Sequence, residues 1–255
     1  MIDSHCHLDR CEGDPEAVVE RAREAGVTGI LTVGLDGPGN ERQVELAGRF
    51  PEVFAAIGRH PNQADGFDES DAEAIERLAV DDSVVAIGET GLDFYRDSAT
   101  PEAQRRAFSA QIAIANATGL PLVVHLRDRE GSDEAVTEAF ATLEREVSGV
   151  DVVLHCFSAP DRVDRATANG WLCSFAGNVT YPANEALREA AARVPEELIL
   201  VETDAPYLTP QSRRKERNEP AFVVETAECV AGVRGESPED FDRMVTANAD
   251  RLFGW

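Results

Sequence analysis

Eight short apolar runs, each followed by a helix-like segment, constrain this chain more than any other feature. The runs are Ile2 to His5, Val27 to Val33, Val53 to Ile57, Val84 to Glu89, Leu122 to His125, Val152 to His155, Trp171 to Phe175 and Leu198 to Thr203. They are rich in Val, Ile and Leu, as strands buried on both faces must be. Between them lie amphipathic stretches with their own start and stop signals. Pro15 to Ala25 follows a capping Asp14, and Thr100 to Thr118 runs from a capping Thr and Pro101 to a terminating Gly119. Further helices are expected at Asn40 to Phe50, Asp71 to Leu78, Asp133 to Val147, Pro160 to Asn169, Asn184 to Ala192, Phe222 to Gly232 and Pro238 to Leu252. Strand and helix alternating eight times imply a parallel sheet closed on itself. The expected fold class is α/β, a single (β/α)8 TIM barrel over 1–255. An open doubly wound sheet is the alternative. No Gly-x-Gly-x-x-Gly follows the first run, which weakens a dinucleotide-binding version.

The polar residues that end these runs carry the chemistry. The chain has five histidines: His5, His7, His60, His125 and His155. His5 and His7 close the first run, His125 the fifth and His155 the sixth. Glu89 closes the fourth, and Asp204 follows the eighth. In a parallel barrel those ends share one rim, where imidazoles and carboxylates can converge on metal ions. On a strand, i and i+2 share a face about 7 Å apart, so His5 and His7 can hold one divalent ion. The bland alternative is a set of unrelated polar residues at strand ends. Lys215 is the only lysine and lies in a loop, so no strand lysine can bridge two ions. Glu89 is the natural bridging carboxylate. His5, His7 and Asp204 would complete one site, His125 and His155 the other. Two ions about 3.5–4 Å apart can share and deprotonate a water, with Asp204 placed as general base.

These stretches resemble the TatD family of metal-dependent deoxyribonucleases, within the amidohydrolase-like barrels. The matching segments are Ile2-Asp3-Ser4-His5-Cys6-His7-Leu8, Ile57-Gly58-Arg59-His60-Pro61 and Ile87-Gly88-Glu89-Thr90-Gly91-Leu92-Asp93. Leu120-Pro121-Leu122-Val123-Val124-His125, Leu154-His155-Cys156-Phe157-Ser158, Glu202-Thr203-Asp204-Ala205-Pro206-Tyr207-Leu208 and Arg217-Asn218-Glu219-Pro220 follow in order. The resemblance implies hydrolysis of DNA phosphodiester bonds, often from the 3′ end, with magnesium or a similar ion. It matches the ligand set His5, His7, Glu89, His125, His155 and Asp204. Two departures stand out. Leu126-Arg127-Asp128-Arg129 replaces the usual Ser-Arg-Asp-Ala, and Ala159-Pro160 stand where a Gly is usual. Neither touches an expected ligand.

His60 falls slightly past its strand end. A hydrogen bond to a scissile phosphate or a metal-bound water is expected of it rather than metal ligation, with a capping or loop-packing histidine as the alternative. Arg96 and Arg127 flank the rim beside Asp93, and their forks suit phosphate; ordinary surface ion pairs are the alternative. Glu202 is expected to pack or to orient a ligand. Five cysteines without a Cys-x-x-Cys pair argue against a disulfide framework or zinc knuckle, and Cys6 is expected to pack.

The charge balance is 48 acidic against 24 basic residues, a net −24. The acids are dispersed rather than gathered in a tail, which reads as a solvated acidic surface; the specific hypothesis is a host with a molar-salt cytoplasm (a halophilic protein). For a nuclease such charge opposes substrate binding. In molar salt the Debye length is about 3 Å, so local contacts decide, and Arg127, Arg129, Arg213, Arg214, Lys215 and Arg217 are available, with pairing of the basic loop to nearby acids as the alternative. Aromatic residues are 6%, too few for a long stacking platform, so exposed single-stranded DNA ends are the expected partner. The apolar runs are strand length, and Met1 to His5 lacks the features of a signal peptide. A cytoplasmic monomer with no membrane role is expected. The cofactors expected are two divalent ions, magnesium or manganese by their carboxylates, with zinc, nickel or iron open to the imidazoles. The competing functions are a barrel hydrolase of esters or amides, such as a D-aminoacyl-tRNA deacylase, and a non-catalytic metal-binding protein.

Overall fold

The structure, a computed structural model, describes residues 1–255. Eight strands form one sheet in chain order, β1 (Ile2–Cys6), β2 (Gly29–Val33), β3 (Val53–Ile57), β4 (Val84–Asp93), β5 (Leu122–Arg127), β6 (Val152–Leu154), β7 (Leu172–Phe175) and β8 (Ile199–Val201). The paired strands run parallel. The helices are α1 (Pro15–Glu24), α2 (Gly37–Ala47), α3 (Glu69–Leu78), α4 (Pro101–Thr118), α5 (Glu134–Glu146), α6 (Val163–Ala168), α7 (Glu185–Arg193), α8 (Val223–Arg234) and α9 (Pro238–Phe253). Sequential parallel strands, each followed by helix, make the expected (β/α)8 barrel class.

The chain divides into two compact units. One comprises Met1–Thr32 with Cys156–Trp255 and carries β1, β2, β7 and β8; Phe175 and Phe241 are among its fully buried side chains. The other, Val33–His155, carries β3 to β6 and buries Phe108 and Phe140. Every residue of β1, β2, β4, β6, β7 and β8 is buried, so the strands read as apolar runs rather than alternating ones. The predicted caps form. The Asp14 carboxylate accepts from the Glu16 N–H at 3.1 Å, and Thr100 Oγ1 from the Ala103 N–H at 3.2 Å. Gly119 ends α4 in the left-handed region.

Several strand limits differ from expectation, and for β1, β4 and β5 the reason is visible in the ladder. Glu89 and His125 do not end their strands, because β4 runs on to Asp93 and β5 to Arg127. His5 is inside β1, while His7 lies beyond it. Both β1 and β4 are bulged. Asp3 pairs with Ile30 and Cys6 with Thr32; Ile87 pairs with Leu122 and Thr90 with Val124. Three residues thus span two, and a bulge re-aims the side chains within it. His5 lies in the first bulge and Glu89 in the second. The predicted helix at Pro160 to Asn169 is a 3-10 turn, Pro160–Arg162, followed by the short α6.

Candidate metal centre

The Val33–His155 unit brings three histidines around one carboxylate. Glu89 Oε1 lies 2.6 Å from His125 Nδ1, 3.0 Å from His155 Nε2 and 3.5 Å from His60 Nε2. His125 Nδ1 and His155 Nε2 are 3.4 Å apart. Donors bound 2.0–2.2 Å from one ion stand about 3 Å from each other. The triangle of 2.6, 3.0 and 3.4 Å therefore fits the donor edges of a divalent cation site. Glu89 is buried, and on either side of it β4 passes close to β5. Gly88 (φ 142°) and Gly91 (φ 137°) permit that approach. A Cβ on Gly88 would meet the Val123 carbonyl oxygen at 2.5 Å, and one on Gly91 would collide with the His125 carbonyl.

His60 behaves differently from the other two imidazoles. It comes close enough to Glu89 and His125 for the three to share an ion. Its Nδ1, however, accepts the Asn62 N–H at 3.0 Å, which leaves the ring proton on Nε2. A protonated nitrogen cannot ligate, so the geometry suits a hydrogen-bond donor. The Nδ1 contact also caps the 3-10 turn Pro61–Gln63, so the capping role is filled by one nitrogen while the other faces Glu89.

Asp93, expected only to flank the rim, organises this unit's donors. Its Oδ2 lies 3.4 Å from His125 Nε2 and accepts from Asn62 Nδ2 at 2.9 Å. Its Oδ1 accepts the N–H groups of Tyr95 and Arg96, both at 3.0 Å. A carboxylate on the far nitrogen of a ligating histidine fixes its tautomer and raises its basicity. Burial pushes Asp93 up, but His125, Asn62 and Arg96 outweigh it and bring the carboxyl to about 2. Burial also opposes charge on Glu89, yet His155, His60 and His125 hold it well below the usual carboxylate range. Burial dominates at His60 and lowers its pKa; at His125 burial is overcome by Asp93 and Glu89, and the pKa rises.

The other unit places His5, His7 and Asp204 together by main-chain bonds. The Asp204 N–H donates to the His5 carbonyl at 2.9 Å and the His7 N–H to the Ala205 carbonyl at 2.7 Å. The two rings meet edge to face, centroids 5.2 Å apart, and His7 Nε2 is 3.6 Å from Asp204 Oδ1. Asp204 is in the left-handed region (φ 53°), a conformation aspartate tolerates better than most residues. Asn218 braces this turn, its Nδ2 donating to the Thr203 carbonyl at 2.9 Å and to the Tyr207 carbonyl. Buried Asp3 accepts from the Thr203 N–H (2.8 Å), the Thr203 hydroxyl (2.6 Å) and the His5 N–H (3.3 Å). Burial raises its carboxyl to about 8 against those donors. Glu202 Oε1 accepts the Cys156 N–H at 2.8 Å, a bracing contact. The motif stretches around Asp3 and Asn218 were visible in sequence; their bracing roles were not, because they depend on which backbone groups come within reach.

Arg96, beyond β4, and Arg127, the last residue of β5, are both exposed. Two other arginines pair with nearby acids. Arg129 is taken up by Asp97 (3.0 Å) and the Phe94 carbonyl (2.7 Å). Arg213 is taken up by Glu225 (2.8 Å), so that part of the basic loop offsets neighbouring acids. Cys6 is fully buried, as expected of a packing residue.

Residues 2–254 match the family model described as TatD related DNase. The chain belongs to the TatD-related DNase family of metal-dependent hydrolases. A Mycobacterium tuberculosis protein named metal-dependent hydrolase TatD is 38% identical, over 100% of this chain and 98% of its own length. A Dickeya dadantii protein named 3′-5′ ssDNA/RNA exonuclease TatD is 38% identical, over 94% of this chain and 92% of its own. Among solved structures, the Escherichia coli TatD homologue YJJV aligns with a TM-score of 0.92 and 27% identity, over 100% of this chain and 98% of its own. In this TatD-family chain the His and Glu cluster around Glu89 supplies donors that suit a metal ion.

Proposed function

We propose that this chain is a 3′–5′ exonuclease-like deoxyribonuclease that removes nucleotides from single-stranded ends with two divalent ions, magnesium or manganese. One observation carries the reading: His125 Nδ1 and His155 Nε2 converge on Glu89 Oε1, in a family whose relatives include a named 3′-5′ ssDNA/RNA exonuclease. His125, His155 and Glu89 would hold one ion, and His5, His7 and Asp204 the other. When bound, such ions activate a water and neutralise charge on the leaving oxygen. Asp204 accepts the proton of the attacking water at its carboxylate. His60 donates its Nε2–H to a non-bridging oxygen of the scissile phosphate. Arg96 and Arg127 bind phosphate with their forks. The burial of Glu89, His5 and His155 keeps bulk water from competing with these contacts.

Residues 1–255 act as one catalytic domain, and the working form is a monomer. All five cysteines are free, which suits a reducing cytoplasm. No helix is long and apolar enough to cross a membrane. The net charge of −24 suits a halophilic host; a protein less stable in molar salt than in dilute buffer contradicts this.

The test compares 5′-labelled single-stranded DNA, single-stranded RNA, duplex DNA and D-aminoacyl-tRNA, with magnesium, manganese or zinc supplied in turn. Stepwise shortening of the single DNA strand from its 3′ end is expected. Faster release of the amino acid than of nucleotides contradicts the reading.

A further inference from the structure

Tyr95 is one of two tyrosines with about half their surface exposed, at 49%, although its neighbours Asp93 and Phe94 are buried. Exposing an aromatic ring to water opposes the hydrophobic effect, yet a single exposed ring is ordinary on a protein surface and gains meaning only from what surrounds it. Cations frame this one. The Arg127 guanidinium lies 4.0 Å from the ring centroid and that of Arg96 lies 5.7 Å away. Half the residue remains accessible with both beside it.

The segment is rigidly built. Asp93 Oδ1 accepts both the Tyr95 and Arg96 N–H groups. The Phe94 N–H donates to the Arg127 carbonyl at 2.8 Å, and Arg129 Nε returns to the Phe94 carbonyl at 2.7 Å. Arg129 also neutralises Asp97, the exposed acid nearest in sequence. The same Asp93 side chain touches His125 Nε2 through its other oxygen. Arg127 is two residues past His125 on β5, so one short piece of backbone carries both. The ring is thereby tied, through one carboxylate, to a proposed metal ligand.

We infer that Tyr95 is a stacking post for a single nucleobase, with Arg127 and Arg96 gripping the phosphate beside it. The inference deepens the nuclease reading and rests on it. An aromatic face accepts any base, and adjacent guanidiniums supply the anion contacts that the acidic surface denies. One isolated ring stacks one base. It therefore selects an unpaired terminal nucleotide, since a paired base keeps its faces inside the helix.

The test uses the full chain, a divalent cation and two single strands of one sequence, one ending in a 3′ thymidine and one in a 3′ abasic residue. Wild-type protein is expected to favour the thymidine strand roughly 5- to 100-fold in kcat/KM, the span expected for one stacked base. Tyr95→Ala is expected to erase that preference and Tyr95→Phe to restore it. Arg127→Ala is expected to weaken both strands alike and to flatten the salt dependence of binding by about one counterion. A Tyr95→Ala protein that keeps the wild-type preference overturns the inference. So does a wild-type protein that degrades both strands equally, and that result leaves the nuclease reading standing. A wild-type protein that degrades neither strand overturns both.

Discussion

The two donor groups are held in place by different means. In the Met1–Thr32 with Cys156–Trp255 unit, backbone does the work. Asp204 and His7 are positioned by reciprocal main-chain bonds between the β1 segment and the turn after β8, with Asn218 bracing that turn. In the Val33–His155 unit, side chains and glycines do it. A bulge aims Glu89, Gly88 and Gly91 let β4 approach β5, and the Asn62–Asp93 pair sets the His125 ring. Main-chain bonds survive most substitutions of the side chains they carry. A side-chain relay fails at any member. The second group is therefore the more fragile to mutation, and the first the more tolerant except at its reacting carboxylate.

That contrast can be broken most sharply at Asp204. Asp204→Asn keeps the main-chain bonds and removes the proposed base, so hydrolysis should fall by about 10²- to 10⁴-fold while the thermal midpoint barely moves. Unaltered turnover of the labelled strand would remove Asp204 from the base role. Gly91→Ala attacks the second group's backbone instead. A Cβ there collides with the His125 carbonyl in a conformation that disfavours side chains, and a loss of roughly 3 kcal/mol is expected, read as a melting point lower by about 5–10 °C. A melting curve superimposable on wild type would show that β4 has room to spare.

Asp93→Asn tests the relay with little change of shape. Metal affinity, measured by isothermal titration, should weaken about 10- to 100-fold. Asn218→Ala is its counterpart in the first group, removing a buried donor to two carbonyls at a cost of about 1–3 kcal/mol in denaturant unfolding. Metal affinity should drop more in Asp93→Asn than in Asn218→Ala; the reverse order would refute the comparison. The smallest effect is expected at Glu225, on the surface. Burial pushes its carboxyl up, but Ser212 and Arg213 outweigh burial and hold it below the usual range. Its contribution is thus present above its unfolded pKa and lost as pH falls through the folded one. Glu225→Gln should cost under about 1 kcal/mol at pH 7 and nothing near pH 3, in paired urea titrations.

Much of this was legible in the amino-acid sequence, for physical reasons. Strands buried on both faces must be apolar along their length, so all eight runs stood out, and a polar residue breaking such a run needs a special environment. That is why His125, His155 and Glu89 could be singled out. Alternation, by contrast, misplaces residues wherever a ladder bulges. It set His5 and His7 on one regular strand face, whereas a bulge holds His5 and His7 lies past the strand. It also ended β4 at Glu89, because nothing in Thr90-Gly91-Leu92-Asp93 announces a continuing strand when glycine interrupts it. Asp93 was underrated for the same reason. Its worth comes from the Tyr95, Arg96 and Asn62 donors that meet its oxygens, and those meetings are tertiary. The tautomer of His60 was equally out of reach, since it depends on one backbone N–H.

The most direct measurement is anomalous scattering from crystals of the full chain grown with manganese. The account predicts one peak within ligand distance of His125 Nδ1, His155 Nε2 and Glu89, and a second beside His5, His7 and Asp204, with His60 Nε2 bonded to neither. Peaks that avoid Glu89, or a manganese seated on His60 Nε2, would contradict it.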